Sequence, residues 1–282
     1  MVNARISDRS WPRYVRLKSV WRPILSRIAR VLAQSETDAE RLKAIGCTPE
    51  RVSIAGNLKF DVRAVKEAEA THLLKAAARG LRIVVAGSTL EGEEAALLEA
   101  WPQILAANPN LVLVLAPRHP ERFAALASLL ERSGISWSRR SEWQAGDALR
   151  PIVAGEVVLL DTIGELASIY SLAAVAFVGG SVVAAGGHNP LEPAQFGVPI
   201  VMGPNYVNFR AITDDLLEHQ ALRIAAKEDL AATLIALLHD AVAAKAMGAR
   251  ARQVFEQQAG ATDRCVAALR ELLSAPGVER AS

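Results

Sequence analysis

Arg118 follows the apolar run 111–115 by three positions, within Ala116-Pro117-Arg118-His119-Pro120. A guanidinium just past the end of a buried strand has the geometry for bidentate contact with phosphate, or for a plain surface pair with Glu121. His119 beside it titrates near neutral pH and offers an acid or base, although a loop histidine of this kind more often makes a structural hydrogen bond. Three times an apolar run ends in a small polar residue with Glu three positions later: Ser88-Thr89-Leu90-Glu91, Thr162-Ile163-Gly164-Glu165 and Asn189-Pro190-Leu191-Glu192. Each matches a capping box, with Asn189 as N-cap and Pro190 at the first helical position in the third. Taken singly each Glu is a helix cap. Taken together they place three helix N-termini around one crevice, where free N–H groups and partial positive charge suit a nucleotide phosphate. The loop Gly179-Gly180-Ser181 to Gly186-Gly187-His188 lets backbone approach a ligand closely, but it is not the G-x-G-x-x-G of dinucleotide sites.

Several chemistries lack their signatures. The sequence contains no H-E-x-x-H, G-x-S-x-G or G-x-x-x-x-G-K-[ST], so zincin, hydrolase-elbow and P-loop readings have no support. Cys47 and Cys265 are the only cysteines and form no C-x-x-C. Neither a zinc site nor a disulfide framework is expected, and no metal or cofactor is indicated.

The elements that must position these residues follow from short apolar runs at 31–33, 52–54, 83–85, 111–115, 157–160, 175–177 and 199–201. Nearly continuous apolar strands predict a parallel sheet covered on both faces, and stretches 91–105, 121–133, 164–172 and 191–196 suit crossover helices, so the class is α/β. A break at Gly56-Asn57-Leu58-Lys59-Phe60-Asp61 predicts a boundary. Residues 1–56 hold two strands, too few to stand alone; 57–80 read as a linker, 81–250 as a complete doubly wound domain with five or six strands, and 251–282 as a helical segment returning to the first domain. Helix breaks are expected near Gly248 and Gly260.

The chain has 282 residues, 51% of them hydrophobic and 22% charged, with a mean hydropathy of +0.18, which excludes intrinsic disorder. With 32 Lys plus Arg against 30 Asp plus Glu, whole-chain charge gives no argument for nucleic acid. Residues 166–191 carry no charge, but the glycines at 179, 180, 186 and 187 interrupt them, which favours a buried strand and loop over a membrane span. The first thirty residues hold Arg5, Arg9, Arg13, Arg16, Lys18, Arg22, Arg27 and Arg30 against Asp8, with Trp11, Tyr14 and Trp21 interleaved. That is a surface for anionic lipid or another acidic partner, or a solvated helix face. No secretory apolar region opens the chain, so a cytoplasmic location is expected.

The ordered strings Asn3-Ala4-Arg5-Ile6-Ser7-Asp8-Arg9-Ser10, Gly56-Asn57-Leu58-Lys59-Phe60-Asp61, Gly87-Ser88-Thr89, Pro117-Arg118-His119, Gly164-Glu165-Leu166 and Gly179-Gly180-Ser181 through His188-Asn189-Pro190-Leu191-Glu192-Pro193 resemble one family nearly end to end. It is the bacterial 3-deoxy-D-manno-octulosonic acid (Kdo) transferases of lipid A and lipopolysaccharide assembly. The resemblance implies a GT-B glycosyltransferase of two Rossmann-like domains, the C-terminal one binding CMP-Kdo and the N-terminal one a lipid A precursor of the lipid IVA type, with inversion, without metal, at the cytoplasmic face of the inner membrane. It implies CMP contacts from Pro117, Arg118, Ile163, Gly164, Glu165, Asn189, Pro190, Leu191 and Glu192, and transition-state support from Lys59. Ser88, Thr89, His119, Gly180, Ser181 and His188 are secondary candidates. Leu90 stands where the family has His. In the family the general base is a Glu well upstream of Asn3-Ala4-Arg5. The resemblance thus implies that residues 1–56 are the remnant of the acceptor domain, that anchor and base lie outside this chain, and that it recognises nucleotide better than it transfers sugar. Another GT-B enzyme using a UDP-sugar, or a nucleotide-binding fragment without catalysis, are the alternatives.

Overall fold

The computed structural model describes residues 1–58, 61, 67–143 and 150–274. The chain divides into two compact units, Met1–Val62 with Gln257–Ser282, and Arg63–Glu256.

The larger unit is a seven-stranded parallel sheet in the order β5-β6-β4-β3-β7-β8-β9. Its strands are β3 (Arg82–Thr89), β4 (Leu111–Pro117), β5 (Trp137–Arg139), β6 (Val157–Leu159), β7 (Ala173–Val178), β8 (Ile200–Met202) and β9 (Leu222–Ile224). The helices are α4 (Glu69–Ala77), α5 (Glu93–Ala107), α6 (Phe123–Ser133), α7 (Leu166–Ile169), α8 (Leu191–Ala194), α9 (Arg210–Glu218), α10 (Leu230–His239) and most of α11 (Ala241–Gln258). Alternation along the strands splits the core in two. Val84, Ala86, Leu111, Leu113 and Leu115 pack with α5, α6 and α10, whereas Ile83, Val85, Val112, Val114 and Ala116 pack with α4 and Tyr170. Every residue of β4 is buried, because a strand covered on both faces has no polar side to show. From β3 the chain passes to β4 on one side, and β7 returns on the other, so the topological switch point lies between β3 and β7.

Several expectations are corrected here. The unit has seven strands, not five or six, since β5 and β9 were not anticipated. Within the segment 57–80, α4 buries Ala70, Leu74 and Ala77 in the second core. No break occurs at Gly248, which lies inside α11. A Cβ there would overlap the Gly197 carbonyl oxygen, so this glycine serves close packing of helix on loop. The helices after Gly164 and Pro190 are single turns of four residues each.

The smaller unit holds β1 (Val31–Ala33) and β2 (Val52–Ile54), paired in parallel from Val31↔Val52, with Ala4 bridging to Ala33. Around them lie α1 (Trp11–Arg16), α2 (Lys18–Leu25), α3 (Glu36–Ile45) and α12 (Ala261–Ser274). Ser35 caps α3 by accepting from the Asp38 N–H at 3.1 Å. Asp61 accepts from the N–H groups of Gly260 and Thr262 at 2.9 and 2.7 Å, and Arg264 donates to the Ala55 carbonyl at 2.9 Å, which ties α12 to the strands. In the basic segment, Trp11, Tyr14 and Trp21 are partly buried against the core. The exposed large apolar residues there are instead Val15, Leu17, Val20 and Ile24. Among the described residues no single helix is long and apolar enough to cross a membrane.

Candidate functional site

At the switch point β3 and β7 end side by side, with Gly87 opposite Val178. Ser88 adopts φ +54, a left-handed backbone that costs a non-glycine residue on the order of 1 kcal/mol, and the β3–β4 register shifts there. A Cβ on Gly179 would overlap the Ser88 carbonyl, so only glycine lets the two strand ends meet this closely. Thr89 is fully buried, and its carbonyl accepts from the Arg118 N–H at 3.0 Å. The β3 end thereby holds the backbone of the residue after β4.

The loop beyond β7 is held by a residue that sequence reasoning missed. Glu93, 1% exposed, accepts four backbone N–H groups: Leu90 and Gly180 through Oε2 at 2.9 and 2.7 Å, Ser181 and Val182 through Oε1 at 2.9 Å each. The backbone N–H groups of Gly180 and Ser181 are thus already taken by a carboxylate. The Ser181 hydroxyl is likewise committed, donating to Val178 O at 2.6 Å and accepting from the Gly203 N–H at 2.8 Å. Glu93, and not Glu91, is the acid that accepts from the backbone just before α5, at the Leu90 N–H. The Glu91 side chain is instead exposed and pairs with Arg122 at 2.9 Å, and α5 starts two residues later than predicted. The signal in the sequence is the Glu93-Glu94 doublet after Gly92, one turn past the strand.

Four predicted residues come together at the carboxyl edge of β4 and β7. Arg118 and His119 are exposed just past β4, and no carboxylate forms an ion pair with Arg118 among the described residues. Glu121 contacts His119 at 3.8 Å instead. His188, half-buried, is pushed down to about 4 by burial first and then by the nearby Arg118 and His119 charges, so its ring is neutral at pH 7. Its Nε2 is buried without a hydrogen-bond partner. Burial raises the Glu192 carboxyl, with Arg118 acting in the opposite direction; Tyr170, fully buried, is pushed up by burial and by Glu192. A free guanidinium, a neutral imidazole with an unused nitrogen and a half-buried carboxylate can together hold a phosphate and neighbouring hydroxyls.

Other predicted residues serve differently. Glu165 already has several partners: it takes Arg140 at 3.0 Å, the Ala70 N–H at 3.4 Å and the Thr162 hydroxyl. Arg140, itself buried, adds Glu69 at 3.4 Å and the Trp143 carbonyl at 3.1 Å. This clamp presents Ile163, 81% exposed, and Gly164, at φ +86, on a projecting loop. Leu191 is fully buried and Pro117 and Pro190 are buried, so these three can contribute backbone only. Asn189 Oδ1 accepts from the Leu191 N–H at 3.0 Å, and because α8 begins at Leu191 the N-cap is Pro190, not Asn189. With α7 and α8 one turn long, their dipoles are small, and attraction for an anion falls to Arg118. Lys59 lies outside the described residues.

The comparisons with known proteins bear on both units. A family model described as 3-deoxy-D-manno-octulosonic-acid transferase (kdotransferase) matches residues 1–62. A 3-deoxy-D-manno-octulosonic acid transferase of Haemophilus influenzae is 34% identical over 97% of this chain and 64% of its own length. One of Bordetella pertussis is 35% identical over 97% of this chain and 63% of its own, so the chain spans less than two thirds of these relatives. Among solved structures, the C-terminal CMP-Kdo binding domain of WaaA from Acinetobacter baumannii shares 34% identity with a TM-score of 0.59, over 66% of this chain and 95% of that one. A UDP-GlcNAc 2-epimerase from Neisseria meningitidis, 11% identical with a TM-score of 0.59 over 95% of this chain, is alike in fold alone.

Proposed function

This chain belongs to the Kdo transferase family, and on that premise we propose that its larger unit binds CMP-Kdo and that the protein transfers Kdo to a lipid A precursor of the lipid IVA type, with inversion and without metal. The observation that carries the reading is the likeness to a CMP-Kdo binding domain over 95% of that domain, joined to the cluster of Arg118, His188 and Glu192 at the switch point. Transfer breaks the bond between the anomeric carbon of Kdo and a phosphate oxygen of CMP while an acceptor hydroxyl forms a bond to that carbon and gives its proton to a base, and negative charge builds on the departing phosphate. Arg118 stabilises that charge, because a cation already fixed beside the crevice needs no rearrangement as the bond breaks. His188 gives one hydrogen bond through Nε2 without adding charge. Glu192 accepts from ribose hydroxyls, and the Ile163-Gly164 loop covers the base. Lys59 supports the transition state.

The smaller unit receives the acceptor in this reading. The basic residues 5–30 lie against anionic lipid at the cytoplasmic face of the inner membrane, where the exposed Val20 and Ile24 of α2 reach the acyl boundary while arginines meet headgroups.

Calorimetric titration of the purified chain with CMP, and with UMP as control, tests the nucleotide assignment. Selective binding of CMP is expected, weakened about tenfold or more in Arg118→Gln, the loss of one charge-assisted contact. Preference for UMP would move the chain to UDP-sugar chemistry, and a folded chain binding neither would end the donor reading.

A further inference from the structure

Beyond the ends of β7 and β8 the carboxyl edge of the sheet opens into a cavity of about 580 Å³, lined among others by Gly186 of the glycine-rich loop, Asn205 and Tyr206 after β8, and Arg210 and Asp214 of α9. Its size is that of a small-molecule site. The walls are fastened to each other. The Asn205 N–H donates to Ser181 O at 2.8 Å and its side-chain amide to Val182 O at 3.2 Å, while Asn208 donates to Gly186 O at 2.9 Å through its backbone and to Ala185 O at 3.0 Å through its side chain. Gly186 and Gly187 take φ of +88 and +76, and a Cβ at Gly187 would stand 3.1 Å from the Tyr206 Cα. The same loop runs directly into His188, so the cavity adjoins the crevice assigned to the nucleotide.

The lining has a particular chemistry. Arg210 forms no ion pair among the described residues, and the Tyr206 hydroxyl is raised by burial and then by the neighbouring Asp214 carboxylate. An unpaired cation beside a phenol, an amide and a carboxylate is satisfied by an anion that also carries hydroxyls. An apolar guest would strand these groups, and a bare phosphate would be repelled by Asp214. We propose that this cavity holds the acidic sugar of the sugar nucleotide, Arg210 taking its carboxylate while Tyr206 and Asp214 take its hydroxyls. The assignment rests on the donor reading above, and makes Arg210 the residue that distinguishes an acidic sugar from a neutral one.

Titration of the full chain with CMP and with freshly prepared CMP-Kdo tests it. The unaltered chain should bind CMP-Kdo about tenfold or more tightly than CMP, the contribution of one charge-assisted contact. In Arg210→Gln that gap should close while CMP affinity stays within about twofold, retained CMP binding showing that the exposed substitution leaves the fold intact. CMP binding with no gap in the unaltered chain, a gap that survives Arg210→Gln, or an equal loss for both ligands would overturn the cavity assignment and leave the nucleotide reading standing. Failure of the unaltered chain to bind CMP would overturn the nucleotide reading, and the donor assignment of the cavity with it.

Discussion

His188 ties protonation to both stability and ligand. The fold holds its pKa near 4 against an ordinary 6.5, so the unfolded chain binds the proton more readily and folding favours the neutral ring. The stabilisation is complete above about pH 6.5 and is lost as the pH falls toward 4; screening at a half-buried site leaves about 2 kcal/mol of it. Chemical denaturation at pH 7 and pH 4.5 should show that loss in the unaltered chain and a flatter profile in His188→Gln; equal slopes would remove the residue from the account. Because Arg118 is one cause of the depression, an anion bound at Arg118 should raise the His188 pKa, which an NMR titration with and without CMP reads directly. At this scale the sequence was legible in part. Arg118 was marked by its place after an apolar run, whereas the pairing of Glu165 with Arg140 was not legible, because the two lie 25 positions apart and no spacing rule joins them.

Strand ends and loops depend on groups that pattern reading passes over. Glu93 satisfies four N–H donors from two loops, and Glu93→Gln turns an amide against some of them, at an expected cost of about 2–4 kcal/mol. Thermal unfolding should register that cost and calorimetry a parallel weakening of CMP; a variant of unaltered stability would show that water replaces the carboxylate. Gly248→Ala forces a methyl into the Gly197 carbonyl and should cost about 1–3 kcal/mol, as overpacking does. Arg252→Ala, which removes only an exposed pair with Glu256 on the same helix, should change little. Long buried strands such as β4 were readable from their apolar runs. β5 and β9 were not, because Trp137-Ser138-Arg139 and Leu222-Arg223-Ile224 each place a charge in a three-residue edge strand, where only one side needs to be apolar. At Gly248 propensity alone predicts a break, and packing overrides it.

At the scale of the whole chain, the basic N-terminal segment makes its own prediction. Vesicles containing anionic lipid should retain the protein, and retention should fall as ionic strength rises and as Ile24→Asp removes an exposed apolar contact; binding indifferent to both would reduce the segment to a solvated face. The aromatic residues that first suggested this surface turn inward instead, a rearrangement that composition does not reveal. The division into units has a further consequence. Residues 63–256 lie between the two stretches that build the smaller unit, and the Asp61 carboxylate and the Ala55 carbonyl accept hydrogen bonds from Gly260, Thr262 and Arg264 on the far side of that insertion. During synthesis the larger unit leaves the ribosome entire before those partners appear, so the usual N-terminal-first order of folding is reversed. Residues 1–62 must wait, incomplete, for α12.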